Sequence, residues 1–258
     1  MTAIDKTHET EELAGEELVD AANAAQVADR ALAEADRLWA STASGWRVVS
    51  ESPSVRNETI PLRGAFAGAG VDLERATATI DGPAQLVFDL LVSPQGTRLI
   101  DPYTDPCDRG LLLETFDVAA WRPDTAPNKG SRLEAIRNYA SVPLMAHREF
   151  IALNIIEANA RYFIQKSILH AAAPGASEWG PNEAQKQQPW STVRAVCTFA
   201  VRVESVSETT CKVHFLNHAN LAGNFSALIQ RTFNRSFLPA VTERLQKAVA
   251  EKLQAPAS

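Results

Sequence analysis

The chain reads as a single α+β domain: an early helix, a run of antiparallel strands with a short helix embedded among them, and a long closing helix. Three observations predict this. At 258 residues with 45% hydrophobic content, the chain can bury a sizeable core. Segments with period-two alternation follow one another between turn-rich breaks. Finally, Phe225, Ile229, Phe233, Phe237, Val241, Leu245, Val249 and Leu253 recur every four positions after Gly223. Such a stripe drifts about 40° per step on a 3.6-residue helix, so the helix must bend or cover a broad surface. Pro239, inside the stripe, removes the bond to the Arg235 carbonyl and is a ready cause of bending. A helix of this kind closes either an ordinary core or a cavity.

Residues 1–17 read as an acidic, disordered extension, and residues 18–255 as the folded domain. From Leu18 to Trp39, Leu18, Val19, Ala22, Ala25, Ala28, Leu32 and Ala35 give a helical face in an alanine-rich segment. The run 41–45 stops it, and 46–52 alternates as a strand. The glycine-rich stretch 64–70 lacks a following Gly-Lys-Ser/Thr and reads as a strand break rather than a phosphate loop. Residues 74–80 form a strand, and Pro83 opens a helix to about Leu91. After the turn-rich 101–109, strands are expected at 110–117, 132–140, 147–157 and 160–169. The polar stretch 171–189 is a long loop. Strands at 191–205 and 211–220 precede the closing helix, placed at 224–253.

Charge and motif content exclude several function classes. Residues 1–36 hold ten acids against two bases, or -8, so they carry more than the whole net charge of -6 and the body is nearly neutral at +2. With no basic stripe to neutralise phosphates, nucleic acid is excluded as a partner. No run of 18 apolar residues exists. The start, Met1-Thr-Ala-Ile-Asp-Lys, has no leader-like pattern and reads as cytoplasmic. Cys107, Cys197 and Cys211 have no metal or redox spacing, and Cys197 and Cys211 read as a reduced pair. The histidines show no zinc spacing; His214 and His218 share one side of a strand, where ordinary strand residues are expected. No Gly-x-Ser-x-Gly elbow occurs, and nothing brings Glu114 and Asp117, or Glu149 and Glu157, together as an acid–base pair. No catalytic residue, cofactor or metal is expected.

Five short segments follow one another in the chain: Trp46-Arg-Val-Val-Ser-Glu-Ser, Arg148-Glu-Phe, Tyr162-Phe-Ile-Gln-Lys-Ser, Val193-Arg-Ala, and Asn220-Leu-Ala-Gly running into the long helix. In this order they resemble signatures of the START (steroidogenic acute regulatory protein-related lipid transfer) domain. The resemblance covers about 20–253. It implies the helix-grip fold, a curved antiparallel sheet around a long C-terminal helix, enclosing a cavity for one lipid.

Alternation assigns an inward face within that frame. With Glu149 outward, Phe150, Ala152, Asn154 and Ile156 point inward. With Lys166 outward, Phe163, Gln165 and Ser167 do. Arg194, Arg202 and Glu204 outward leave Ala195, Cys197, Phe199 and Val201 inward, and Lys212 outward leaves Val213, Phe215 and Asn217. Phe233, Phe237, Val241 and Leu245 are expected to line the cavity from the helix. This set is mostly apolar with few, neutral polar groups, the composition of a small-molecule pocket.

Two departures from the family pattern matter. Cholesterol-type members carry an inward arginine where this chain has Asn154, and their acidic partner aligns near Ala135, so that ion pair is expected to be lost. Arg137, with Tyr139, supplies an inward polar pair if the strand alternates from Ala135; the alternative places Arg137 on the surface. The turn 140–147 matches the family's omega loop, and Val142, Leu144 and Met145 pack on the helix or enter a membrane. A closing helix with Arg231, Arg235, Arg244, Lys247 and Lys252 suits an anionic bilayer surface.

The implied function is non-catalytic binding and intermembrane transfer of one hydrophobic lipid by a peripherally, transiently membrane-associated protein. A sterol or sterol-sized ligand is favoured, with a phospholipid or carotenoid open. The rivals are a helix-grip enzyme acting on a polyketide or acyl thioester, and a ligand-sensing regulatory module.

Overall fold

A computed structural model of the protein describes residues 16–42, 45–61, 72–100, 111–121, 130–140, 148–173, 193–221 and 227–254, with the side chains of the last segment described from Ser236 onward. The acidic stretch 1–15 and the turn holding Val142, Leu144 and Met145 lie outside the described residues.

The elements are α1 (Ala24–Ala40), β1 (Arg47–Glu51), β2 (Val55–Pro61), β3 (Asp72–Ile80), α2 (Ala84–Val92), α3 (Pro94–Ile100), β4 (Leu111–Phe116), α4 (Val118–Trp121), β5 (Arg132–Ala140), β6 (Arg148–Glu157), β7 (Tyr162–Ser167), β8 (Val193–Arg194), β9 (Val196–Ser205), β10 (Cys211–Asn220) and α5 (Ala227–Gln254). One sheet contains all ten strands in the order β1-β2-β3-β10-β9-β7-β6-β5-β4, antiparallel except that the short β8 pairs parallel with β6. The expected strands are present, and β2, α3 and α4 are additions. The first helix starts at Ala24 rather than Leu18, because 17–19 is extended: Val19 N–H donates to Leu169 O (3.0 Å) and Leu169 N–H to Glu17 O (2.9 Å).

Because the sheet is covered on both faces, it has two hydrophobic layers. The outer layer joins α1, through Val27, Ala28, Ala31, Ala35 and Leu38, to Leu133, Ala135, Ile151, Leu153, Ile164, Ala200 and Leu216. The small alanine side chains allow α1 to lie close to the strands. The inner layer joins α5 and α2 to Ala76, Ala78, Ile156, Phe163, Phe199, Val201, Val213 and Phe215. On α5, Leu238, Val241, Leu245 and Val249 are buried. Their spacing of three, four and four keeps them on one helix face, where an unbroken spacing of four would drift. Leu253 is exposed, beyond the sheet.

The C-terminal half of α5 is fastened at two points. Arg244 donates to the carbonyls of Leu99 (2.8 Å) and Ile100 (3.1 Å) at the end of α3. Gly82, in the β3–α2 turn, has no Cβ; one placed there would meet Val249 Cγ1 at 2.6 Å. Arg244 is therefore engaged with α3, whereas Lys247 and Lys252 are exposed.

Candidate functional site

Cross-strand register fixes which side chains share the inner face, since directly paired residues point the same way. Ile156 pairs with Phe163, Phe163 with Val201, Val201 with Phe215, and Phe215 with Ala76. This row is apolar and carries the aromatic centre. Phe199 lies among Phe163, Phe215 and Phe237, with ring centroids 6.0–6.4 Å apart and an edge-to-face contact to Phe237. That geometry suits aromatic quadrupoles and gives a rigid apolar wall.

The next row is polar along nearly its whole length. Thr59 pairs with Glu74, Glu74 with Asn217, Asn217 with Phe199, Phe199 with Gln165, Gln165 with Asn154, and Asn154 with Glu134. Only Phe199 interrupts it. Toward β5–β7 these side chains are part-exposed, and Gln165 Nε2 donates to Asn154 Oδ1 at 3.0 Å. Toward β2–β3, Thr59, Glu74 and Asn217 are buried. The row beyond holds Ala152, Ser167 and Cys197, where Ser167 Oγ accepts from Cys197 N–H (2.8 Å).

The inward assignments for Phe150, Ala152, Asn154, Ile156, Phe163, Gln165, Ser167, Cys197, Phe199, Phe215 and Asn217 match this geometry. Phe237 is half-buried against Phe199, whereas Val241 and Leu245 are closed into the inner layer. The Phe233 side chain lies outside the described residues.

Arg137 and Tyr139 are corrected: both point to the outer face of the sheet. Arg137 pairs in register with Ile151, an outer-layer residue, and Tyr139 with Glu149. There, Glu149 is fully buried, forms an ion pair with Arg137 (Nε–Oε1 2.9 Å), and accepts from Tyr139 Oη (3.2 Å) and Arg194 Nε (3.2 Å). Ala135 is itself an outer residue, so counting alternation from it inverts β5. The acid that faces Asn154 is Glu134, one residue earlier. The inner polar set is thus neither small nor neutral. Sequence reading missed Glu134, Asp72, Glu74, Asn57 and Thr59; the clue was alternation in β2 and β3 with polar residues at the buried positions.

Cys197 and Cys211 are both free and sit at opposite ends of the β9–β10 ladder, pairing with Ala219 and Ser205. Burial pushes the Cys211 thiol up to about 11, so it stays protonated. His214 accepts or donates across to Thr77 (3.2 Å) and Glu204 (3.3 Å) and shares the outer face with His218. Among the described residues no group of His, Cys, Asp and Glu is placed to hold a metal ion. No described helix is long and apolar enough to cross a membrane.

A ten-stranded antiparallel sheet with a C-terminal helix against one face matches solved structures over nearly the whole chain. The human StAR-related lipid transfer protein 5 superposes with a TM-score of 0.66 at 18% identity, covering 91% of this chain and all of that one. The chain has a START-like, helix-grip fold. The lipid transfer and protein localization domain of human StarD13 gives a TM-score of 0.56 at 14% identity over 89% of this chain and 97% of that one. A STAR-related lipid transfer protein from Xanthomonas axonopodis gives 0.54 at 11% identity over 80% and 99%. No protein-family model and no curated protein matches the sequence.

Proposed function

We propose that this START-like protein binds one hydrophobic lipid against the inner face of its sheet and carries it between membranes without altering it. The observation that carries this reading is the juxtaposition on one face, under α5, of the Phe163–Phe199–Phe215–Phe237 wall with part-exposed Glu134, Asn154 and Gln165. A lipid body laid on the aromatic wall regains about 0.8 kcal/mol per buried CH₂, close to what the bilayer gave up. Extraction is then nearly neutral in free energy, as reversible transfer requires.

The polar groups narrow the ligand class. Asn154 and Gln165 spend one donor and one acceptor on each other and keep the rest for a ligand. Glu134 beside them disfavours an anionic headgroup, because its carboxylate repels a second negative charge placed next to it. A neutral, sterol-sized amphiphile with a hydroxyl fits better than a phospholipid. The test is transfer of a fluorescent sterol between vesicles. Transfer that rises with protein concentration and is suppressed by Phe199→Ala supports the reading; no acceleration over the protein-free rate removes it.

We further propose transient contact with anionic bilayers through the turn holding Val142, Leu144 and Met145 together with the basic residues of α5, of which Lys247 and Lys252 are exposed. Co-sedimentation should increase when anionic lipid is added to neutral vesicles. Equal, negligible binding to both would rule this out.

A further inference from the structure

We propose that Asn57 sets how readily α5 lifts from the sheet: the closed helix strips the Asn57 amide of water and gives it no hydrogen bond in return. The consequence for lipid exchange rests on the lipid-binding reading above; the opening of α5 does not.

The sequence of β2 places the amide under the helix. Alternation puts Val55, Asn57 and Thr59 on one face of β2 and Arg56, Glu58 and Ile60 on the other. Asn57 pairs with Ala76, and Ala76 and Val55 both belong to the layer shared with α5. α5 packs on β2 and β3. Val249 meets Gly82, and Gln246 donates to Thr79 O (3.4 Å). The helix therefore runs back along β3 and passes Ala76 and Asn57 ahead of those two contacts.

Nothing at this place completes the bonding of the amide. Asn57 is 0% exposed, and neither its amide oxygen nor its amide nitrogen has a hydrogen-bond partner among the described residues. At that exposure no water molecule fits beside it. Its nearest row neighbours across the sheet, Ala76 and Phe215, are apolar. Thr59, two residues along β2, directs its hydroxyl to Leu73 O (3.4 Å). Thr242, one turn before Gln246 on the same flank of α5, turns its hydroxyl back to Leu238 O (2.9 Å).

A buried amide without a partner bears the full cost of its lost hydration. That cost is present only while α5 is down. When the helix lifts, water reaches Asn57 and the cost disappears. Relative to an apolar residue of similar size, the closed-to-open equilibrium is moved toward opening by about tenfold. The helix is built for such a movement. Arg244 and Val249 fasten its C-terminal half, and Pro239 interrupts its hydrogen bonding ahead of them. A pivot on those fastenings uncovers Asn57.

Amide hydrogen exchange of the full-length, lipid-free chain tests this, with Asn57→Leu beside the unmodified protein. Exchange over 236–245 should slow about tenfold and the urea midpoint should rise, the reverse of what most substitutions do. If leucine does not fit and the chain fails to fold, Asn57→Val decides in its place. Unchanged exchange in α5, a lowered midpoint in both variants, or loss of folding in both would overturn the proposal. A fluorescent sterol supplies a second readout: association and release should slow together by about the same factor, with affinity held within about twofold. A changed affinity at an unaltered association rate would make Asn57 a ligand contact and overturn the proposal. If the sterol does not bind, the sterol reading falls, and exchange in α5 alone decides the role of Asn57.

Discussion

His218 is almost fully buried on the outer face of β10, opposite Thr198, and burial pushes its imidazole down to about 4. The unfolded chain titrates this side chain near 6.5, so the folded form withholds a proton that the unfolded form accepts. Its contribution to stability is complete above about pH 6.5, falls as pH drops, and levels off below about 4. At about 1.4 kcal/mol per unit, the full loss is about 3 kcal/mol. Urea unfolding of the native protein and His218→Gln between pH 7 and 4 should show a shallower decline in the variant; identical slopes would contradict this. Glu149, also on the outer face, holds two guanidinium groups and a phenol. Its replacement by Ala removes the one carboxylate that both guanidinium groups and the phenol share in a buried site and should cost about 3–5 kcal/mol in chemical denaturation. A loss below about 1 kcal/mol would show that the network is relaxed by solvent.

At the scale of elements, α5 is held where its C-terminal half crosses the β3–α2 turn. Gly82→Ala would drive its Cβ into Val249. The expected cost is about 1–3 kcal/mol, and Val249→Ala in the same chain should recover part of it. Additive losses in the double variant would show that the two sites are not in contact. α1 is held differently: Arg75 donates to Leu38 O (2.8 Å) and Ser41 O (2.7 Å), bonds Glu58, and stacks over Trp46. These bonds satisfy carbonyls that a helix C-terminus otherwise leaves open. Arg75→Ala should raise amide exchange in the last turn of α1, and unchanged protection would exclude this clamp.

The same elements explain what was legible in the sequence. In β6, β7, β9 and β10 every charged residue used as a marker (Glu149, Lys166, Arg202, Lys212) lies on the outer face, so alternation counted from them gives the inner faces although the outer face also buries Ile151, Leu153, Ile164, Ala200 and Leu216. β5 carries charge on both faces, Glu134 inward and Arg137 outward, so its alternation has no single polarity and turns Arg137 the wrong way. β2 was hidden because its buried positions are Asn57 and Thr59, which break the apolar period that marks a strand. Residues that depart from the local pattern in this way are the ones expected at functional sites.

For the whole molecule, the two-layer arrangement divides the labour. The outer layer, tied by α1, Arg75 and the Glu149 network, holds the sheet; the inner layer presents an aromatic wall and a polar row to whatever α5 encloses. The central claim is that this inner face holds one lipid and leaves it chemically unchanged. Native mass spectrometry of the full chain after incubation with mixed-lipid vesicles, followed by extraction, tests it most directly. One added lipid mass per chain is expected, reduced in Phe199→Ala, with the extracted molecule identical to one supplied. A chain that stays lipid-free, or a recovered molecule altered in mass, would contradict it.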